Sequence, residues 1–253
     1  MNLSTTIRAL SASILLVSGT ATIAQEEDEG YILEITRVAV KMGHGAEFRE
    51  ALKPYHECLI EGEYDGSWSA WRNVDGNPNV YHFVSTMNNW AEMDTPNEVG
   101  ASCWSEHHKE ITSHAESASI SFARHLPAWS GDAEDYTVVR LHQFRVDDGG
   151  LFGETVGAIT SIMKEAEYEH LGDWYEVLGN DSNEPDYFVV SQYANFAAMD
   201  EDRAGPYKVV SDAEGEERAD ELWEQFGDAL RDDWEYSSEL LQLDPELSHS
   251  EDD

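Results

Sequence analysis

The sequence is poor in basic residues, and this shortage excludes some classes of partner. Its 253 residues contain 15 Lys and Arg against 52 Asp and Glu, a formal charge of −37. A field of that sign repels phosphate backbones and anionic lipid surfaces, so nucleic acid and membrane partners are disfavoured. A solvated acidic surface explains the charge better than a cation store, because no Asp/Glu loop has the spacing of a calcium site.

Long apolar runs are also missing. The run at residues 9–17 follows Arg8 and precedes small residues that end at Ala24. It is shorter than the roughly 20 apolar residues of a membrane-spanning helix, and its layout is that of a secretory signal peptide. We therefore expect residues 1–24 to be removed and the mature protein to be exported, either to the periplasm or outside the cell.

A fifteen-residue passage occurs twice in the chain. Residues 80–94 read VYHFVSTMNNWAEMD and residues 186–200 read DYFVVSQYANFAAMD, with seven identities. The apolar stripe of the preceding helix repeats with the same spacing: Phe48, Leu52, Tyr55 and Leu59, then Phe152, Val156, Ile159 and Met163. A duplication explains both matches. The predicted units are residues 25–127 and 136–245, with a linker at 128–135 and an acidic tail at 246–253.

Each copy reads as βαββαβ. A strand leads into a helix, two strands joined by a turn follow, and a second helix precedes a last strand. This is the order of the ferredoxin-like unit, which places two helices on one face of a four-stranded antiparallel sheet. Because the other face must be covered, the sequence predicts an α+β protein whose two ferredoxin-like repeats close into one α/β barrel.

In these features the chain resembles the dimeric α/β-barrel superfamily, which includes the antibiotic-biosynthesis monooxygenase, stress-responsive barrel and NIPSNAP-like groups. The resemblance spans about residues 31–243 and rests on the element order, the passages GHGAEF and GGLF, and the duplicated passage. It implies a barrel between two sheets within one chain. By analogy of fold it also implies cofactor-independent oxygenase chemistry, although no residue matches a catalytic position of the family.

Polar and aromatic residues in the predicted barrel strands are the candidate ligand-binding residues: Arg37, Trp68, His82, Arg140, His142 and Trp174. Trp68 and Trp174 align at equivalent positions in the second strand of each copy. Cationic and imidazole groups among aromatic rings suit an enclosed site for a small organic molecule, either anionic or aromatic. Alternatively, the cations pair with acids such as Glu34 or Glu176 and only hold the barrel together. Strand alternation does not identify the inward face, because both faces mix polar and apolar residues.

Three functions stay open at this point. The chain is an exported protein that binds a small organic molecule between its sheets, with or without oxygenase-like activity; or it is a non-enzymatic envelope or extracellular protein with a packed barrel core; or it binds haem through one of its ten histidines. The sequence nominates no resident cofactor and no metal site. His107, Glu110 and His114 share a helix face, but the second copy has no equivalent.

Cysteine is the scarcest reactive residue, with two in the chain. Cys58 and Cys103 both lie in the first copy, each beside the apolar stripe of one of its two helices. Those helices lie side by side in a ferredoxin-like unit, and disulfides persist in exported proteins. We therefore predict a Cys58–Cys103 disulfide, with two buried free thiols as the alternative.

Overall fold

The computed structural model of the chain describes residues 30–132, 135–179, 184–231 and 237–250. The predicted signal peptide lies outside the described residues. The strands are β1 (Ile32–Val40), β2 (Ser69–Asn73), β3 (Val80–Met87), β4 (Ala115–His125), β5 (Val138–Phe144), β6 (Asp173–Leu178), β7 (Tyr187–Tyr193) and β8 (Ser237–Leu243). The helices are α1 (Gly45–Glu61), α2 (Glu98–His114), α3 (Gly149–Glu165), α4 (Pro206–Glu214) and α5 (Glu216–Ala229).

The eight strands form one closed barrel in the order β1-β3-β2-β8-β5-β7-β6-β4. Each repeat supplies four neighbouring strands, and all neighbours are antiparallel. The two sheets join where β2 pairs with β8 and β4 pairs with β6. The predicted α+β fold, two ferredoxin-like repeats closed into one barrel, is therefore confirmed. Closure leaves no unpaired sheet edge.

The second repeat departs from the predicted element order at its second helix. Where the first repeat has α2, the second has both α4 and α5. Pro206 lies in the first turn of α4, where a missing N–H is tolerated. Gly215 ends that helix with φ at 95°, a conformation that favours glycine. The helix predicted around Ala219, Trp223 and Phe226 is α5, and α4 is an additional helix that Gly215 separates from it.

The duplicated passage encodes a strand and the cap that follows it. After β3, the Asn89 side chain accepts a hydrogen bond from the Ala91 backbone N–H at 3.0 Å and starts a short 3-10 helix. After β7, Asn195 does the same for Ala198 at 3.2 Å. Asparagine is a strong N-cap residue, which gives a local reason for its identity in both copies.

The strand register corrects one match between the repeats. Trp174 pairs with Val189 on β7, and the residue that pairs with the equivalent Phe83 on β3 is Ala70. Ala70 is thus the counterpart of Trp174, and the alignment of Trp68 with Trp174 is two residues out of register. The length difference between the repeats lies in the turn after β2 and β6.

The helices cover the outer face of each sheet. The structure joins Cys58 of α1 to Cys103 of α2 in a disulfide with Cα atoms 5.8 Å apart, the pair that the sequence predicts. Within the described ranges, no helix has the length and apolar character needed to cross a bilayer.

Candidate functional site

Three cavities lie along the two faces of the barrel wall. The barrel cavity, about 500 Å³, is inside the closed sheet and is lined by residues of all eight strands. The first cavity, about 770 Å³, lies between the sheet of the first repeat and its helices α1 and α2. The second cavity, about 750 Å³, lies between the sheet of the second repeat and helices α3 and α5. All three have the size of small-molecule sites.

The six candidate residues do not form a single site. Arg37 and His82 line the barrel cavity, and Trp68 lines the first cavity. His142 and Trp174 line the second cavity. The sixth candidate, Arg140, places its guanidinium 3.8 Å from the carboxylate of Asp75. Adjacent side chains of a strand point to opposite faces, and in this barrel both faces border a cavity.

The alternative partner Glu34 does not meet Arg37. Glu34 lines the first cavity, whereas Arg37 lines the barrel cavity on the other face of β1. Arg140 has an acidic partner, but it is Asp75 of the turn after β2 rather than Glu34 or Glu176.

His82, which is buried, lies near Arg37 at one end of the barrel cavity. The Nε2 of His82 lies 2.9 Å from Oδ1 of Asn73 and 3.7 Å from the Glu239 carboxylate. Burial, and then the nearby charge of Arg37, lowers the pKa of His82 to about 4. His82 is therefore neutral at pH 7. Burial also raises the pKa of Glu239, an effect that Arg37 partly offsets.

A second polar cluster lies where β4, β6 and β7 meet, and sequence reasoning missed it. The Asp173 carboxylate accepts a hydrogen bond from Gln192 at 2.5 Å and lies 4.0 Å from His125. Burial raises the pKa of Asp173 to about 6. Nearby, the hydroxyls of Tyr31 and Tyr175 are hydrogen-bonded at 2.8 Å. The sequence signal for this cluster was Asp173, an acidic residue at the start of β6.

Aromatic rings from three sides form the walls of the first cavity. Tyr55 of α1 and Trp104 of α2 meet edge to face at 5.9 Å between ring centroids. Trp68, just before β2, and Phe83 of β3 line the sheet side. Trp104 is 45% exposed, so one aromatic wall of the cavity borders solvent.

The C-terminal segment of the second repeat closes part of the first cavity. We define residues 244–250 as the C-terminal strap. Arg49 of α1 pairs with Asp244 and, at 2.7 Å, with Glu246. Trp68 donates its indole N–H to the Leu247 carbonyl at 2.8 Å. Residues 246–250, which the sequence assigns to an acidic tail, thus pack against the first repeat, while residues 251–253 lie outside the described part.

The strap also places a histidine beside His56, which lines the first cavity. His249 stacks on Trp68 with ring centroids 4.8 Å apart, and its Nδ1 lies 2.9 Å from Nε2 of His56. His249 is 5% exposed, and its Nε2 is a buried polar atom with no hydrogen-bond partner among the described residues. The sequence around His249 does not predict this contact, because His56 lies 193 residues earlier in the chain and the two meet only in the folded barrel.

The second cavity has its own polar groups among aromatic walls. Burial and then Arg140 lower the pKa of His142, so its imidazole is neutral at pH 7. His170 lines the same cavity. The Arg203 guanidinium lies 4.5 Å from the ring centroid of Tyr193 and donates to the Gln192 carbonyl at 3.0 Å. Across the described ranges, no group of three or more His, Cys, Asp and Glu side chains has the arrangement of a metal site.

Comparison with known proteins identifies the fold. No protein-family model matches the chain, and no curated protein does. Among solved structures, a candidate monooxygenase from Lactobacillus acidophilus NCFM is 14% identical, with 85% of this chain and 94% of that chain covered and a TM-score of 0.52.

Two further structures have the same architecture. An anthrone oxidase-like protein is 11% identical, with 86% of this chain and 92% of that chain covered and a TM-score of 0.53. A mutant chlorite dismutase from Candidatus Nitrospira defluvii is 10% identical, with coverage of 87% and 93% and a TM-score of 0.53. The chain therefore has the ferredoxin-like dimeric α/β-barrel fold, with both halves in one polypeptide. At these identities the likeness concerns the fold alone.

Proposed function

We propose that this protein binds a planar aromatic molecule in the first cavity. The observation that carries the proposal is the ring of aromatic side chains around a space of about 770 Å³, with Tyr55, Trp68 and Trp104 on three sides. Aromatic walls hold a flat ligand by stacked and edge-to-face contacts, and they do so at specific angles. A solvent-bordering tryptophan at such a cavity is typical of a ligand entrance.

The polar groups of the first cavity restrict the chemistry of the ligand. Glu34 and Glu246 line it and disfavour an anion, although Lys53 offsets part of that charge. His56 and Tyr64 also line it and can exchange hydrogen bonds with a hydroxyl or a ketone oxygen. The ligand that fits is an uncharged phenol or aromatic ketone of two or three rings.

Oxidation of that ligand by dioxygen is the enzymatic part of the proposal. It is supported by the descriptions of two proteins of the same fold, a candidate monooxygenase and an anthrone oxidase-like protein. His56 is the base in reach of a ligand oxygen, and its link to His249 at 2.9 Å can carry the proton away from the cavity. Because fold does not fix chemistry, binding and oxidation need separate tests.

Export belongs to the same proposal. It is supported by the signal-like residues 1–24 and by the Cys58–Cys103 disulfide, since such bonds persist in oxidising compartments. The test is the intact mass of the protein secreted by its own host. We expect the mass of a chain whose N-terminus follows Ala24. A chain recovered with Met1 intact would contradict export by this route.

The binding experiment uses the duplicated architecture as its own control. Quenching of tryptophan fluorescence is titrated with 1-naphthol and anthrone, and with cyclohexanol as a non-aromatic alcohol. Trp104→Ala removes a wall of the first cavity, and Trp223→Ala removes a side chain that lines the second cavity. We expect Trp104→Ala to weaken naphthol binding about tenfold and Trp223→Ala to leave it within about twofold.

Three outcomes of this titration are informative. Equal weakening by both variants, or binding of cyclohexanol as tight as that of naphthol, would overturn the aromatic site. Weakening by Trp223→Ala alone would place the ligand in the second cavity. For the enzymatic part, dioxygen uptake with anthrone should fall in His56→Gln while naphthol still binds. Uptake unchanged by His56→Gln would reject His56 as the base.

Haem in the second cavity is a second candidate ligand. The observation in its favour is a pair of imidazoles, His142 and His170, at an aromatic-lined space of about 750 Å³. Either histidine would supply an iron ligand, and bound haem would supply redox chemistry. An absorbance scan of protein purified from its native host decides between the candidates: a Soret band lost in His142→Ala or His170→Ala supports haem, and a spectrum without one removes it.

A further inference from the structure

The barrel cavity is charged on one sheet and uncharged at the equivalent place on the other. Arg37 on β1 pairs with His82 on β3. The equivalent pair in the second sheet is Gln143 on β5 and Phe188 on β7. All four residues line the same cavity of about 500 Å³. At this level of the barrel the first sheet therefore carries a cation and an imidazole where the second sheet carries an amide and a phenyl ring.

Arg37 makes no direct ion pair among the described residues, although the Glu239 carboxylate lines the same cavity and feels its charge. It is exposed at the cavity, and the structure gives it no hydrogen bond or ion pair with any described residue. This is unusual in a chain with 52 acidic and 15 basic residues. Asp75, the acid of the nearest turn, instead pairs with Arg140 and accepts from the Leu240 backbone N–H at 2.8 Å.

The surroundings of Arg37 set the charge and shape of a partner. Ser119, its cross-strand neighbour on β4, also lines the cavity and offers a hydroxyl donor. Glu239 of β8, in the second sheet, reaches to 3.7 Å from His82, so the cavity suits a single negative charge better than two. One step further along the strands, the cavity is lined by apolar side chains of β1, β3, β5 and β7: Ile35, Val84, Leu141 and Val190.

We propose that the barrel cavity is a second binding site, which takes a small monocarboxylate with an apolar body. The carboxylate meets the Arg37 guanidinium and the Ser119 hydroxyl, and the apolar body lies against Ile35, Val84 and Leu141. This site is separate from the aromatic site of the first cavity, which lies on the outer face of the same sheet. Its ligand differs in charge, because the first cavity is lined by two glutamates.

The test compares ligands that differ in charge and arginines that differ in position. Benzoate is titrated by calorimetry, with benzamide as the neutral isostere and phenyl phosphate as the dianion. Arg37→Gln removes the proposed partner. Arg140→Gln is the matched control, because Arg140 also lies in a barrel strand but pairs with Asp75. Trp104→Ala reports on the first cavity.

We expect benzoate to bind with a Kd below about 1 mM, and more tightly than either benzamide or phenyl phosphate. Arg37→Gln should weaken benzoate about tenfold or more and leave benzamide unchanged. Arg140→Gln and Trp104→Ala should each stay within about twofold of the wild type. The melting temperature of Arg37→Gln should stay close to that of the wild type, since the side chain is exposed and loses no direct hydrogen bond or ion pair among the described residues, only its longer-range attraction to Glu239.

Several results would overturn the proposal. These are benzoate binding absent at about 10 mM, or an equal effect of Arg37→Gln and Arg140→Gln, which would mean general charge attraction. Loss of benzoate binding in Trp104→Ala would place the carboxylate in the first cavity. The aromatic proposal fails independently, because its readout is naphthol binding to Trp104→Ala and not benzoate binding to Arg37→Gln.

Discussion

Removing the disulfide should destabilise the protein by a calculable amount. Cys58 and Cys103 are 45 residues apart in sequence and join α1 to α2. The chain-entropy relation for a loop of this length gives about 4 kcal/mol at room temperature, because the bond restricts the unfolded chain. The double variant Cys58→Ser with Cys103→Ser should therefore lose up to about 4 kcal/mol of unfolding free energy.

The measurement is urea unfolding of the mature chain followed by tryptophan fluorescence. The denaturation midpoint should fall in the double variant, and the melting temperature should drop by about 8–16 °C, as expected for a chain of this size. The slope of the transition should rise, since the unfolded variant exposes more surface without the cross-link. Because α1 and α2 are the walls of the first cavity, naphthol affinity should fall as well.

Reduction of the wild type supplies the control. Treatment with a thiol reductant should bring its midpoint to that of the double variant, and the variant itself should not respond. A difference below about 1 kcal/mol would show that the bond does not restrain the unfolded chain as argued. Two reactive thiols in the denatured, unreduced exported protein would refute the bond itself.

Two further predictions concern buried groups. Leu247 of the C-terminal strap is 7% exposed and packs in the core of the first repeat, so Leu247→Ala should cost about 2–4 kcal/mol of unfolding free energy, measured in urea. Ile60→Ala, at 44% exposure, is the control and should cost about 0.5 kcal/mol or less; equal losses would mean that the strap is not part of the fold. Burial raises the pKa of Asp173 from 3.8 to about 6. The stability that the protonated carboxyl contributes is therefore complete below about pH 4 and is lost as the pH rises through about 6. Asp173→Asn should therefore be more stable than the wild type at pH 7, with the difference shrinking towards about pH 4 in unfolding experiments; a difference independent of pH would contradict the assignment.

Sequence reasoning recovered the features that local patterns encode. The duplication was visible as identities such as Asn89 and Asn195. Each of these residues caps a 3-10 helix through a hydrogen bond to a residue two or three positions later. The disulfide followed because Cys58 and Cys103 lie on helices that the βαββαβ order places side by side. The additional helix α4 was missed, although Pro206 at its start and Gly215 at its end were visible signals for it.

The sequence did not predict the strand register correctly. Trp68 and Trp174 align by eye, yet hydrogen bonding makes Ala70 the counterpart of Trp174. A shift of two residues preserves the alternation of side chains, so the hydrophobic pattern cannot detect it. Only the pairing with Phe83 and Val189 fixes the position.

The sequence by itself determined that the chain folds as two ferredoxin-like repeats that share a barrel, because element order and duplication are properties of the chain. Tertiary structure alone decided which cavity each candidate residue faces. In every barrel strand except β4, which is exposed along residues 116–120, buried or half-buried residues lie on both sides, so neither side is marked by a solvent-facing pattern. Arg37 and His142 therefore look alike in sequence, although closure of the barrel places one inside it and the other beneath the helices of the second repeat.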